Sequence, residues 1–220
     1  MATTILRIPL PSVAEQLFRS ADEDSVARCA RDAIALCVDA VMFSQGDEDQ
    51  WLQKRYGLNR VEVWKTLVQC FVHWYKHRSQ EFQPIIELYS RDGVRSEDEF
   101  PMLVFTNGAA TLANQLYHTG MLLLLHSKPR FADKPNSNSS SMSAHWHAHR
   151  ICGIAMQNDG PGSWDPCLVA SLIVAARTIT HSSQHAAIVH TLENVQGLTG
   201  WNISHYATEL RIEWQLANDG

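Results

Sequence analysis

From Met102 to His126 the chain runs a full helical length without one Asp, Glu, Lys or Arg, and it ends in four consecutive leucines, Leu122 to Leu125. A helix that is apolar on most sides cannot face water and has to be surrounded by other elements. This stretch therefore predicts a central helix, with Pro101 in its first turn, where a missing N–H costs nothing. It stops by Lys128, because Pro129 disfavours helix at the residue before it. The leucine run is far below the ~20 apolar residues that a membrane-spanning helix requires.

The rest of the sequence supplies the surroundings. Between Asp24 and Phe43, apolar residues recur at Val26, Ala30, Ala33, Cys37, Val38 and Val41, the spacing of one helix face. Gly46 to Leu58 is charged and reads as a loop with a short helix. Trp64, Leu67, Val68, Phe71, Trp74 and Tyr75 form the next stripe, opposite Lys65, Gln69 and Lys76. Residues 79–99, with Pro84 and the run S-R-D-G-V-R-S-E-D-E, read as an exposed loop. Residues 131–143, rich in Asn and Ser, read as a mobile loop. A helix from His145 to Met156 follows, closed by N-D-G-P-G. Asp165 caps the next one, with Pro166 in its first position and an almost wholly apolar body to Ile179. Ser182 or Ser183 opens a helix carrying Ile188, Val189, Leu192 and Val195, ended by Gly197 or Gly200. The last places Ile203, Ala207, Leu210, Trp214 and Ala217 on one face. No strand alternation is legible. The expected class is all-α: an irregular array of about seven to nine antiparallel helices in a single domain over residues 24–217, after an extended lead-in at 1–23.

Composition narrows the function classes. Hydrophobic residues make up 45% and charged residues 19%, enough apolar material for a buried core. The formal charge is −5 and no Lys/Arg cluster stands out, so direct nucleic-acid binding is not expected. The five cysteines, Cys29, Cys37, Cys70, Cys152 and Cys167, form no C-x-x-C pair, and four sit inside apolar helical patterns as small hydrophobes. With no secretory leader in the proline-interrupted first 12 residues, a reducing intracellular location is expected, cytoplasmic or nuclear, and no membrane association. No G-x-S-x-G, phosphate loop or dinucleotide fingerprint occurs.

The densest chemistry lies in A-H-W-H-A-H-R, residues 144–150. On a helix His145 and His149 share a face and His147 points nearly opposite. Two histidines at that spacing suit zinc or copper, but no H-E-x-x-H glutamate accompanies them, so no metal and no cofactor are expected. Tyr117 and His118 interrupt the apolar helix, with Asn114 and Gln115 one turn earlier. They read either as a satisfied core network or as the lining of a cavity between helices. Trp74 reads as core beside His73 and His77 at the helix rim. Arg177 and His181 suit the C-terminal end of a helix dipole. Trp164 and Asp165 suit either a cap or a pocket lid.

Several stretches together resemble one family. They are W-K-T-L-V-Q-C-F-V-H-W-Y-K-H-R-S-Q-E-F-Q-P-I (64–85), F-P-M-L-V-F (100–105), A-N-Q-L-Y-H-T-G-M-L-L-L-L-H-S-K-P-R (113–130), W-H-A-H-R-I-C-G-I-A (146–155) and L-T-G-W with L-R-I-E-W (198–214). In content and order they are similar to the C-terminal half of the fungal-specific regulatory domain of zinc-cluster transcription factors. R-C-A-R-D-A-I-A-L-C with F-S-Q-G (28–46) matches the start of that half. The resemblance implies a helical domain that senses metabolites or partners, with His147 and Arg150 at positions where the family has similar residues. His149 departs from it, since an arginine is more usual there. The family's six-cysteine DNA-binding module has no counterpart in this sequence.

Two functions follow as expectations. The first is a stand-alone effector-type domain that binds a small hydrophobic or polycyclic metabolite, pairs with a partner transcription factor or forms a homodimer, and does not bind DNA. The second is a cofactor-independent isomerase, dehydratase or cyclase of secondary metabolism, which the 11 histidines and seven tryptophans favour. In that case His118 and one of His147 or His149 form the acid/base pair. Asn114, Tyr117 and Arg150 orient the ligand, and Trp74, Trp146 and Trp164 form apolar walls.

Overall fold

The structure is a computed structural model that describes residues 25–46, 49–89, 99–132, 140–157 and 164–218. These residues form eight α-helices, one short hairpin and two 3-10 turns, at Gln80–Phe82 and Ser140–Met142. Helices α1 (Ser25–Gln45), α2 (Asp49–Tyr56) and α3 (Arg60–His77) come first. Strands β1 (Ile86–Leu88) and β2 (Met102–Val104) follow, then α4 (Gly108–His126), α5 (Ala144–Gln157), α6 (Pro166–Ala176), α7 (Ser182–Thr199) and α8 (Ser204–Asn218). The all-α expectation holds. The lead-in at 1–23, the turn N-D-G-P-G at 158–162 and residues 90–98 and 133–139 of the predicted loops lie outside the described residues; the first part of the stretch 79–99 is not an exposed loop, since it buries Phe82 and forms β1.

Helix α4 is the spine, and neighbouring residues on it serve different cores. Tyr117 and Met121 pack into a cluster with Leu36 and Phe43 of α1 and Trp64, Leu67 and Phe71 of α3. Leu122, one residue on, belongs to a second cluster with Ile151 of α5, Leu172 of α6, Ile188 of α7 and Leu210 of α8. A helix with core on both sides has to be apolar all round, which is what its sequence showed. Tryptophan indoles tie the layers by donating to buried helical carbonyls: Trp64 to Leu124 O at 2.7 Å, and Trp214 to Ala176 O at 3.1 Å. These bonds satisfy the one polar atom of an otherwise apolar ring.

The structure corrects the sequence reading at one end of the spine. The helix does not start at Pro101. Met102–Val104 is a strand, paired antiparallel with β1 in the register Ile86↔Val104, Glu87↔Leu103, Leu88↔Met102. The helical start is set five residues later by Asn107, whose side chain accepts from Ala110 N at 2.8 Å. Pro101 seemed to mark a first turn, but its carbonyl is pressed against α5. A Cβ on Gly153 would lie 2.1 Å from Pro101 O, so only glycine admits this approach. Elsewhere the local signals hold. Asp165 accepts from Cys167 N at 2.7 Å and caps α6, and Gly200, at φ +73°, ends α7. His181, not Ser182 or Ser183, stands at the N-cap of α7.

Candidate functional site

Where α4 crosses α5 beside β1, the buried polar side chains meet. His118 on α4 and His147 on α5 are both 0% exposed, and Arg150, one turn beyond His147, is 2% exposed. The His118 and His147 Nδ1 atoms lie 2.8 Å apart, Arg150 Nε donates to His118 Nε2 at 3.1 Å, and His147 Nε2 lies 3.0 Å from Ser141 O.

These contacts fix the protons. A guanidinium can only donate, so His118 Nε2 is the acceptor and its proton sits on Nδ1. That N–H donates to His147 Nδ1, which leaves the His147 proton on Nε2, pointing at a carbonyl that can only accept. The result is one directed chain, Arg150 to His118 to His147 to Ser141 O, satisfied only when both imidazoles are neutral. A second proton on either ring would set two donors face to face. Electrostatics act in the same sense: burial first, then the Arg150 charge and the neighbouring His147, hold His118 well below the ordinary histidine value. Burial lowers His147 to about 4, although the Ser141 hydrogen bond opposes it.

The rest of Arg150 is equally occupied. Its Nη1 donates to Glu87 Oε1 at 2.6 Å and also to the Tyr89 hydroxyl, and its Nη2 donates to the Tyr75 hydroxyl at 3.1 Å. Tyr89 in turn donates to Glu87. Burial raises the Glu87 carboxyl, but the bonds from Arg150 and Tyr89 outweigh it and hold the group below its usual value. A buried cation is thus matched by one carboxylate and bonded on all three of its nitrogens, as burial of charge demands.

Beside this network lies a cleft of about 230 Å³. Tyr89, Arg150 and Trp146 form its inner side, with the Trp146 ring 4.7 Å from the Arg150 guanidinium carbon. His145, His149 and Pro101 line it as well, with Glu99 and Ser143. The His145 and His149 ring centroids are 4.1 Å apart, the shared face that the i, i+4 spacing predicted. His149 is lowered to about 4, by burial first and then by His145 and His181. Its Nε2 is buried and has no hydrogen-bond partner among the described residues. An unpartnered buried nitrogen in a native fold calls for an explanation, and a group bound at the site is one.

The predicted site residues therefore separate. Arg150, Trp146 and His149 line the cleft, while His118 and His147 sit behind it in the hydrogen-bond chain. Asn114 is elsewhere, its amide bonding Phe82 O and Ala110 O, both at 2.8 Å. Trp74 donates to Cys29 O at 2.9 Å within the first cluster. Tyr117 stacks on Tyr75 with ring centroids 4.4 Å apart and edges against His118 and His147, buried and away from the cleft. Trp164 packs against the second cluster. Among the described residues no three His, Cys, Asp or Glu side chains are grouped to hold a metal ion. No described helix is long and apolar enough to cross a membrane.

Sequence reasoning missed Glu87, Tyr89 and Tyr75. The one local signal for Glu87 is a carboxylate set between apolar neighbours in I-I-E-L-Y, an alternation too short to read as a strand by itself. No family model, curated protein or solved structure matches the chain.

Proposed function

We propose that this chain is a small-molecule-binding helical domain of the effector type found in fungal zinc-cluster regulators, with its ligand in the cleft beside Arg150. The observation that carries the reading is convergence. Polar side chains from α3, α4, α5 and β1 meet at Arg150, and that arginine forms the inner side of an aromatic-lined cleft. Few polar groups set among aromatic walls are what small-molecule sites are made of. The resemblance noted in the sequence supports the same class. The net charge of −5 supports a domain that acts without touching DNA directly.

The enzymatic alternative rests on one observation, the neutral imidazole of His149 in the cleft with a nitrogen to spare. On that reading His149 is the base, and His118 and His147 hold Arg150 in place from behind. Native mass spectrometry after incubation with a fungal metabolite extract separates the two. A retained small molecule of unchanged mass, lost in Trp146→Ala, is the expected result. An extract component converted to a product of equal mass, or of mass less water, would replace the effector reading with the enzymatic one. Binding that survives Trp146→Ala would place the ligand elsewhere.

A further inference from the structure

We infer that the outward faces of α1 and α6 form a contact surface for a second copy of this chain, independent of the cleft and of what it binds.

The first observation is how α1 places its charges. From Ala33 to Gln45 its one charged residue is Asp39, which is 1% exposed, accepts from Tyr56 at 2.5 Å and pairs with Arg55 at 3.5 Å. Asp32, just before that stretch, is 5% exposed. Water meets Ile34 instead, at 46% exposed, followed by the half-buried Val38 and Val41 on the same stripe. A surface helix ordinarily turns its charges outward. Here the carboxylates are inside and aliphatic side chains are outside.

The second observation is α6. Its 11 residues include no charged side chain, a composition suited to a helix covered on every side. Yet Cys167 and Ala170 are exposed and Val174 is half-buried, a stripe at i, i+3 and i+7 that this chain leaves open. Both helices pack on α4. Cys37, beside Ile34 and Val41, is raised to about 12 by burial and then by the nearby Cys167. The start of α6 therefore lies by the middle of α1, and the two stripes border one another.

Neutrality and area point to a second copy as the cover. A two-fold contact sets each patch against itself, so any charge on it tends to face its like. Self-contact thus needs a neutral patch, and this one carries no exposed charge between Arg31 and Arg177. A charged partner would lose hydration there and find nothing to pair with. The helices are about 31 Å and about 16 Å long, and faces about 10 Å wide offer about 470 Å² per copy. A dimer would bury about 940 Å², below the roughly 1,200 Å² of standard interfaces and in the range of weak, reversible ones.

Sedimentation velocity of the full chain, from low micromolar to near-millimolar concentration, tests this. A monomer that passes into a dimer as concentration rises is expected, and added salt should not dissolve it, since no ion pair holds it. Ile34→Glu and Ala170→Glu, both at exposed positions, should each weaken the dimer at least about tenfold by burying an unpaired carboxylate. Ile212→Glu, 53% exposed on α8, should leave it unchanged. Circular dichroism identifies any variant that fails to fold, and the other of the pair then carries the test. A chain that stays monomeric throughout overturns the inference, as does a dimer that ignores both α1 and α6 substitutions. So does a dimer that salt dissolves, or one that Ile212→Glu weakens equally.

Discussion

His147 and His149 are separated by one residue of α5, and both imidazoles stay neutral down to about pH 4, yet the two sites have little else in common. Successive odd positions on a helix point to nearly opposite sides. His147 therefore enters the core and His149 faces the cleft. Both ring nitrogens of His147 are engaged, one by His118 and one by Ser141 O. His149 keeps an Nε2 with no partner among the described residues. A depressed titration therefore does not separate a structural histidine from one with something left to bind. The inventory of partners does.

That contrast is open to measurement. The largest effect is expected for Arg150→Leu, because it takes the terminal donor from the inward chain and leaves Glu87, Tyr75 and His118 without their shared partner. Breaking a buried ion pair from one side costs about 3 kcal/mol or more, read as a lower denaturation midpoint. A loss under about 1 kcal/mol, the range of surface ion pairs, would mean that the network contributes no more than a surface one.

Next comes the direct comparison. His147→Phe orphans the His118 Nδ1 proton and should cost about 2 kcal/mol. His149→Phe removes a nitrogen that has no partner to lose, so its change should stay within about 0.5 kcal/mol. Equal losses in the two variants would erase the distinction between the two faces.

The last test is of pH dependence. His118, His147 and His149 all bind a proton more weakly in the folded chain than at the ordinary histidine value of 6.5. Between about pH 6.5 and about 4 the unfolded chain takes up more protons, so stability falls as the pH is lowered through that window. His149→Phe should make this fall shallower while leaving stability at pH 7 nearly unchanged. A fall as steep as that of the unaltered chain would show that His149 titrates normally in the folded state.

The same pair of histidines shows how far the sequence could be read. That His145 and His149 share a face and His147 opposes them follows from helical spacing, and the structure has this arrangement. That His147 meets His118 does not follow, because 28 residues separate them and the contact depends on how α4 and α5 are rotated and offset. The core was legible for the same reason that the network was not: burial of Leu122 or Ile151 needs only an apolar face, while a hydrogen bond needs a particular partner. The hairpin was hidden by Pro101, a good helix-start signal that here precedes a strand and packs its own carbonyl against Gly153. Glu87 reaches Arg150 only through that hairpin, so missing the strands also hid the carboxylate.

The directed chain from Arg150 to Ser141 O also bears on how α4 finds its place. This helix is apolar almost all round, and packing and polar contacts together resist its sliding a turn, about 5.4 Å, along its neighbours: the Phe71 ring sits against Gly120, where a Cβ would lie 2.2 Å from it. A slide of one turn would bring Asn114 or Leu122 opposite His147 in place of His118. Leu122 has no polar atom to offer, so that slide would bury the guanidinium with an unanswered donor; Asn114 has both an acceptor and a donor, but the slide would take its amide away from Phe82 O. The histidine pair thus acts as a key in a keyway. The greasy surfaces supply adhesion, and the imidazoles favour one alignment of the spine.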